Sequence, residues 1–209
     1  MEIRTLQLLT FHILFYKMDS LFEHLKDVHK MTRRKYASFF ENKDKQRKEL
    51  GVVESLLEGM LANGENLYHD LQCSKKDPPD CIAYDNEGRL IGFEITEFVD
   101  QDAVEENEVA DKENSVCRRW TQNDVIDKIE EIIKDKDFKL KNISKDNDPY
   151  FRMILIIYAD EPDLSYNDYC QILPSVLFSP PQNVDEVIFL VSYEPRIMTY
   201  PYFRLNIQE

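Results

Sequence analysis

The sequence predicts an α/β domain in which a mixed β-sheet is flanked by helices, and three observations carry that prediction. Residues 153–158 (Met-Ile-Leu-Ile-Ile-Tyr) and 187–191 (Val-Ile-Phe-Leu-Val) are unbroken apolar runs of strand length, the pattern of strands buried on both faces. Ahead of the first run, Val125, Ile129, Ile132 and Ile133 recur at helical spacing within residues 122–138. Residues 81–95 place two further apolar runs on either side of Asp85-Asn86-Glu87-Gly88, which is turn chemistry between two strands. Strands joined by helical crossovers make a sheet covered by helices.

In chain order, residues 1–44 are expected to form an N-terminal helical extension and residues 45–209 the α/β domain. Residues 6–16 are an apolar stretch that contains His12, lacks a small-residue cleavage site and is too short to span a bilayer. It reads as an apolar first helix or strand, or as the consequence of an upstream start, since Met18 opens a more ordinary sequence. Residues 19–64 contain no proline and look helical. Within them, residues 45–62 carry Leu50, Val53, Leu57 and Leu61 at spacings of three and four, an amphipathic face closed by Asn63-Gly64. Glu54 falls at the border of that face, where it needs a partner or must stay solvated.

Residues 81–84 and 90–95 are the two strands of a hairpin. Residues 97–114 hold eight acids and one lysine, and are expected to form an exposed loop or flap. Thr121 is placed to cap the helix that begins at residue 122, with Asp124 in its first turn. Residues 167–177 suggest a further helix, Pro180-Pro181 a break, and residues 198–207 an edge-like strand interrupted by Pro201.

At 209 residues the chain can bury about 70% of its unfolded surface. Its 43% apolar and 32% charged content is that of a soluble globular protein. A net charge of −14 opposes loose attraction to nucleic acid, so such contact requires a local basic patch. Residues 26–48 supply one candidate, with nine Lys or Arg against three acids, as either a solvated face or a phosphate-contacting one. The four cysteines show neither zinc spacing nor a disulfide framework, which fits a reduced, cytoplasmic setting without a membrane span. None of the four histidines accompanies a nucleophile elbow, a phosphate loop or a dinucleotide fingerprint, and five glycines leave little room for phosphate-cradling loops.

The chemistry concentrates in the hairpin. Pro78-Pro79-Asp80 leads into its first strand and Gly92-Phe93-Glu94-Ile95-Thr96 lies in its second, so Asp80 and Glu94 converge on one strand edge. Paired carboxylates there suit a hard cation such as Mg²⁺ or Mn²⁺. Over residues 45–193 this arrangement resembles the PD-(D/E)xK nuclease superfamily, whose restriction-endonuclease-like core has the same order of helix, strand meander, helix and strand. The resemblance implies a nuclease that hydrolyses phosphodiester bonds in DNA or RNA, with metal held by Asp80, Glu94 and a helix glutamate, here Glu54. The carbonyl of Ile95 would add a ligand. The sequence departs from the family at the lysine two residues after the glutamate, where Thr96 offers a hydroxyl but no charge.

Family members that draw the cation from the next helix make Lys128 the expected substitute, with Arg118 and Arg119 as further options. Gln122 matches a polar position that branches of the family place over the site. Alternatively, Lys128 is a solvent-facing residue paired with Asp124. The competing function is a catalytically inactive nuclease-fold protein, an acidic binding, immunity or inhibitor module with a protein partner. The acidic segment and the missing lysine speak for it.

Overall fold

The computed structural model describes residues 45–99, 119–141, 150–161 and 164–208. The N-terminal extension, Arg118, Cys117 and residues 100–114 of the acidic segment lie outside them.

The chain begins its described part with helix α1 (Lys45–Ala62), followed by strands β1 (Tyr68–Cys73), β2 (Cys81–Asp85) and β3 (Leu90–Phe98). Helix α2 (Gln122–Leu140) leads to β4 (Arg152–Ala159), and helix α3 (Tyr166–Ile172) with a 3₁₀ turn leads to β5 (Leu177–Phe178) and β6 (Glu186–Val191). Two short strands, β7 (Tyr202–Arg204) and β8 (Asn206–Ile207), close it. The main sheet has six strands in the order β1-β2-β3-β4-β6-β7. β3, β4 and β6 are parallel neighbours, while β1–β2, β2–β3 and β6–β7 pair antiparallel. β5 and β8 form a separate parallel pair. The fold is thus α/β with a mixed six-stranded sheet and, among the described residues, three α-helices. None of those helices is long and apolar enough to cross a membrane.

Two cores sit on the two faces of the sheet. Val53, Leu56 and Met60 of α1 pack with Ala83, Ile91, Phe93, Ile95, Ile154, Ile156 and Ile188. Val125, Ile129 and Ile133 of α2 and Tyr169 of α3 pack with Phe98, Leu155, Ile157, Val187 and Phe189 on the other face. Successive residues of β4 therefore enter opposite cores, which is why its sequence is continuously apolar rather than alternating. The start of α2 follows the expected cap: Thr121 and Asp124 form a reciprocal capping box.

The β2–β3 turn is built by Asp85. Its Oδ1 accepts the Glu87 and Arg89 amides at 2.9 Å each, and Gly88 takes φ +76, a left-handed conformation open to glycine. Gly92 serves a different need. A Cβ there would meet Met153 Sδ at 3.0 Å and Pro79 Cγ at 3.1 Å, so its bare backbone lets Pro79 settle onto β3 just before Asp80.

The structure adds one strand and corrects two expectations. The added strand, β1, is mostly polar, with half of its residues exposed and none buried, as suits an edge strand with a register irregularity between His69 and Gln72. Glu97 does not open an exposed loop. It continues β3 opposite Tyr158 and is buried, because parallel pairing with β4 extends through Phe98. The buried stripe of α1 is Glu49, Val52, Val53, Leu56, Gly59 and Met60, with Leu61 63% exposed. It is turned by about one residue, roughly 100°, from the Leu50, Val53, Leu57, Leu61 face.

Candidate active site

The site forms where β2 and β3 part. Their pairing ends at Cys81 opposite Phe93, and from Glu94 onward that edge of β3 is free of β2. Asp80, just outside β2, closes the gap: its Oδ2 accepts the Ile95 amide at 2.8 Å. A buried carboxylate that receives a backbone N–H keeps its direction. Asp80 is an electrostatic neighbour of Glu94, and its charge disfavours the charged form of that glutamate.

On the α2 side, the Lys136 ammonium donates to Glu94 Oε1 at 2.7 Å and to the Ile95 carbonyl at 3.1 Å. The pair is well enclosed, with the lysine side chain 18% and the glutamate side chain 9% exposed. The second oxygen, Glu94 Oε2, is buried without a hydrogen-bond partner. Burial pushes the Glu94 carboxyl above the usual range, Lys136 opposes that shift, and Asp80 and Asp77 add to it.

On the α1 side the acid is Glu49, which is buried. Lys45 Nζ lies 3.1 Å from Glu49 Oε1, 3.8 Å from Asp80 Oδ1 and 3.9 Å from Asp77 Oδ2. Desolvation and then the Asp80 charge push the Glu49 carboxyl up to about 7, against the pull of Lys45. Asp77 and Asp80 at this corner of the sheet thus bear on an α1 side, with Lys45 and Glu49, and on an α2 side, with Glu94 and Lys136.

The expected residues fall into two groups. Asp80 accepts the amide of Ile95, the residue after Glu94, and its charge bears on the Glu94 carboxyl. Thr96, two residues beyond Glu94 and so on the same face of β3, is half-buried. Glu54 does not join them: it is exposed, since the one-residue rotation of the α1 stripe carries it about 140° round the helix from Glu49. Lys128 is held elsewhere. It pairs with Glu131 at 2.9 Å, one turn along α2. Gln122 and Arg119 are exposed at and before the start of that helix.

The residues that sequence reasoning missed, Glu49 and Lys136, share a signal. Lys136 continues the Val125, Ile129, Ile132, Ile133 stripe by three and four residues, and Glu49 precedes Val52, Val53 and Leu56 by three, four and seven. Each is a charge on the core face of its helix.

Glu97, three residues beyond Glu94, lies on the opposite face of β3. Its Oε2 is also buried and unpartnered, and burial together with Asp160 and Glu161 pushes its carboxyl up to about 8, with Lys48 opposing.

Among the described residues, no three His, Cys, Asp or Glu side chains are gathered tightly enough to hold a metal ion as they stand. The donor chemistry nevertheless suits a hard cation. The carboxylates offer oxygens, with the Cys81 and Cys73 thiols close by, and the orphaned Glu94 Oε2 lacks the partner that a cation would supply. No protein-family model, curated protein or solved structure matches the chain.

Proposed function

We propose that the protein is a divalent-cation-dependent nuclease of the PD-(D/E)xK kind, built on a restriction-endonuclease-like core and hydrolysing phosphodiester bonds in DNA or RNA. The observation that carries this reading is the Lys136 ammonium on Glu94 and the Ile95 carbonyl. It brings a positive charge from α2 to the strand position where Thr96 lacks one. Asp80, Glu94 and Glu49 are the residues that would hold Mg²⁺ or Mn²⁺. The cation would supply an activated water and stabilise charge on the scissile phosphate.

The chain's own groups have distinct duties. The Ile95 amide orients Asp80. Lys136 orients Glu94 and supplies charge to the phosphate as negative charge builds on it, in a partly dehydrated setting where such charge is most effective. The Thr96 hydroxyl can accept or donate a hydrogen bond to a water beside Glu94. The raised Glu49 carboxyl gives the site a group that gains or loses a proton near neutrality.

One observation favours a second reading, an acidic binding or inhibitor module on the same fold. Lys45 and Lys136 already neutralise the carboxylates, and the chain carries a net charge of −14. The deciding experiment is Mg²⁺- or Mn²⁺-dependent cleavage of a mixed DNA and RNA panel. The wild type should cut, and Asp80→Ala, which removes a ligand and frees the Ile95 amide, should not. A wild type inert with both metals would leave the binding module as the better account.

A further inference from the structure

The two lysines of the corner are held in different ways. Lys136 approaches through the protein, is largely covered, and makes two short contacts to groups of β3. Lys45 approaches from the lip. Its side chain is 70% exposed, and of its three carboxylate contacts only the one to Glu49 is closer than 3.8 Å. Its lysine-before-glutamate order at i,i+4 is also the weaker orientation for a helical ion pair. An exposed lysine carries an ammonium on a flexible four-carbon stem, so its charge can move by several ångströms without any movement of the backbone.

The partners of Lys45 matter as much as its exposure. Asp80 Oδ2 is committed to the Ile95 amide, so Lys45 lies on Oδ1, the oxygen left for a cation. Its closest contact, Glu49 Oε1, belongs to the other buried acid of this side. The ammonium thus rests among oxygens that the reading above assigns to the metal. A divalent cation bound there would repel a lysine within about 4 Å, and the same charge on the rim would attract a phosphate.

Building on the nuclease reading, we infer that Lys45 is a displaceable counter-ion that becomes a substrate-gripping residue. It neutralises Glu49 and Asp80 in the free protein, gives way to the divalent cation, and then pairs with a phosphate oxygen of the nucleic acid. The two roles make opposite demands on one charge, and that opposition separates this assignment from a merely structural ion pair.

The test compares full-length wild type, Lys45→Met, which keeps the stem and removes the charge, and Lys45→Arg, which keeps a charge. Mg²⁺ binding without nucleic acid is followed by calorimetry. Binding of a labelled DNA duplex and its RNA counterpart is followed in Ca²⁺ over a range of salt. Lys45→Met should bind Mg²⁺ about tenfold more tightly, while its nucleic-acid affinity falls about tenfold and its salt slope drops by about one phosphate contact. Lys45→Arg should stay close to wild type in both. In cleavage, the loss should fall on KM rather than kcat. Unchanged or weaker Mg²⁺ binding by Lys45→Met would overturn the counter-ion role, and unchanged nucleic-acid affinity and salt slope would overturn the grip. In either case a wild type that binds Mg²⁺ and cuts leaves the nuclease reading intact. A wild type that neither binds Mg²⁺ nor cuts brings down that reading and this inference together.

Discussion

Glu94 and Glu97 lie three residues apart on one strand, both buried, each with one oxygen lacking a hydrogen-bond partner. Their surroundings differ in one respect. Glu94 faces α2 and meets the Lys136 ammonium at 2.7 Å, whereas Glu97 faces the other layer among Asp160 and Glu161, with Lys48 a weaker opposing influence. Burial raises both carboxyls, but only at Glu94 does a close cation offset much of the effect. A fixed cation beside a buried acid favours its charged form. A buried acid among other acids is better satisfied as the neutral acid. The strand thus presents two carboxyl groups of the same type with different chemistry, and the difference comes from the helices laid on either side.

The sharpest way to break this contrast is to remove the cation. Lys136→Met should strand Glu94 as an unpaired buried charge and destabilise the protein by about 3–5 kcal/mol, measured by urea denaturation at neutral pH. Glu94 would then titrate still higher in the folded chain. The loss should therefore be small below pH 4.5, the ordinary carboxyl value, and grow as pH rises. On the proposed nuclease reading, cleavage should disappear with it. Thr96→Lys in the same variant places an ammonium on the same face of β3 and should recover part of the stability, which Thr96→Met should not.

Glu97→Gln should act in the opposite direction. The folded carboxyl sits at about 8 against an ordinary 4.5, so its ionisation opposes folding increasingly as pH rises between those values. The amide removes that penalty. The variant should match wild type near pH 4 and exceed it by up to about 5 kcal/mol at pH 9, read as a pH series of urea midpoints. A variant less stable than wild type at pH 9 would mean that the charged form is the one the fold accommodates.

The smallest effect belongs to the other lysine of α2. Lys128→Ala removes a pair with Glu131, whose side chain is 59% exposed, and should cost less than about 0.5 kcal/mol with cleavage unchanged. A large loss of cleavage would move the role proposed for Lys136 to Lys128.

The strands that enter both cores were legible because their composition is set by burial on two sides, as at Ile154 to Ile157. Asp80 and Glu94 were legible because a short turn ties their register to sequence position. The partners arriving from helices were harder to find. A rotation of α1 by one residue exchanges Glu54 for Glu49, and apolar residues alone do not set that rotation when Leu50, Leu57 and Leu61 offer a competing stripe. Lys136 was overlooked for a related reason. A lysine in line with Ile129, Ile132 and Ile133 looks like the end of an apolar face until its partner across the layer is known. The strand β1 left no trace because neither of its faces is fully buried.

Gly59 gives the corner a mechanical property. A Cβ there would come within 2.2 Å of the Tyr200 carbonyl, so α1 rests bare backbone on the segment that joins β6 to β7. That segment is braced by the Glu194–Thr199 bridge and by Arg196, which donates to both oxygens of Glu194 at 2.7 and 2.9 Å. Glu49 lies ten residues back along the helix, about 15 Å from this support. A side chain at position 59 would have to displace either the helix or the Tyr200 backbone, so the footing of α1 on this segment depends on a residue that has no side chain.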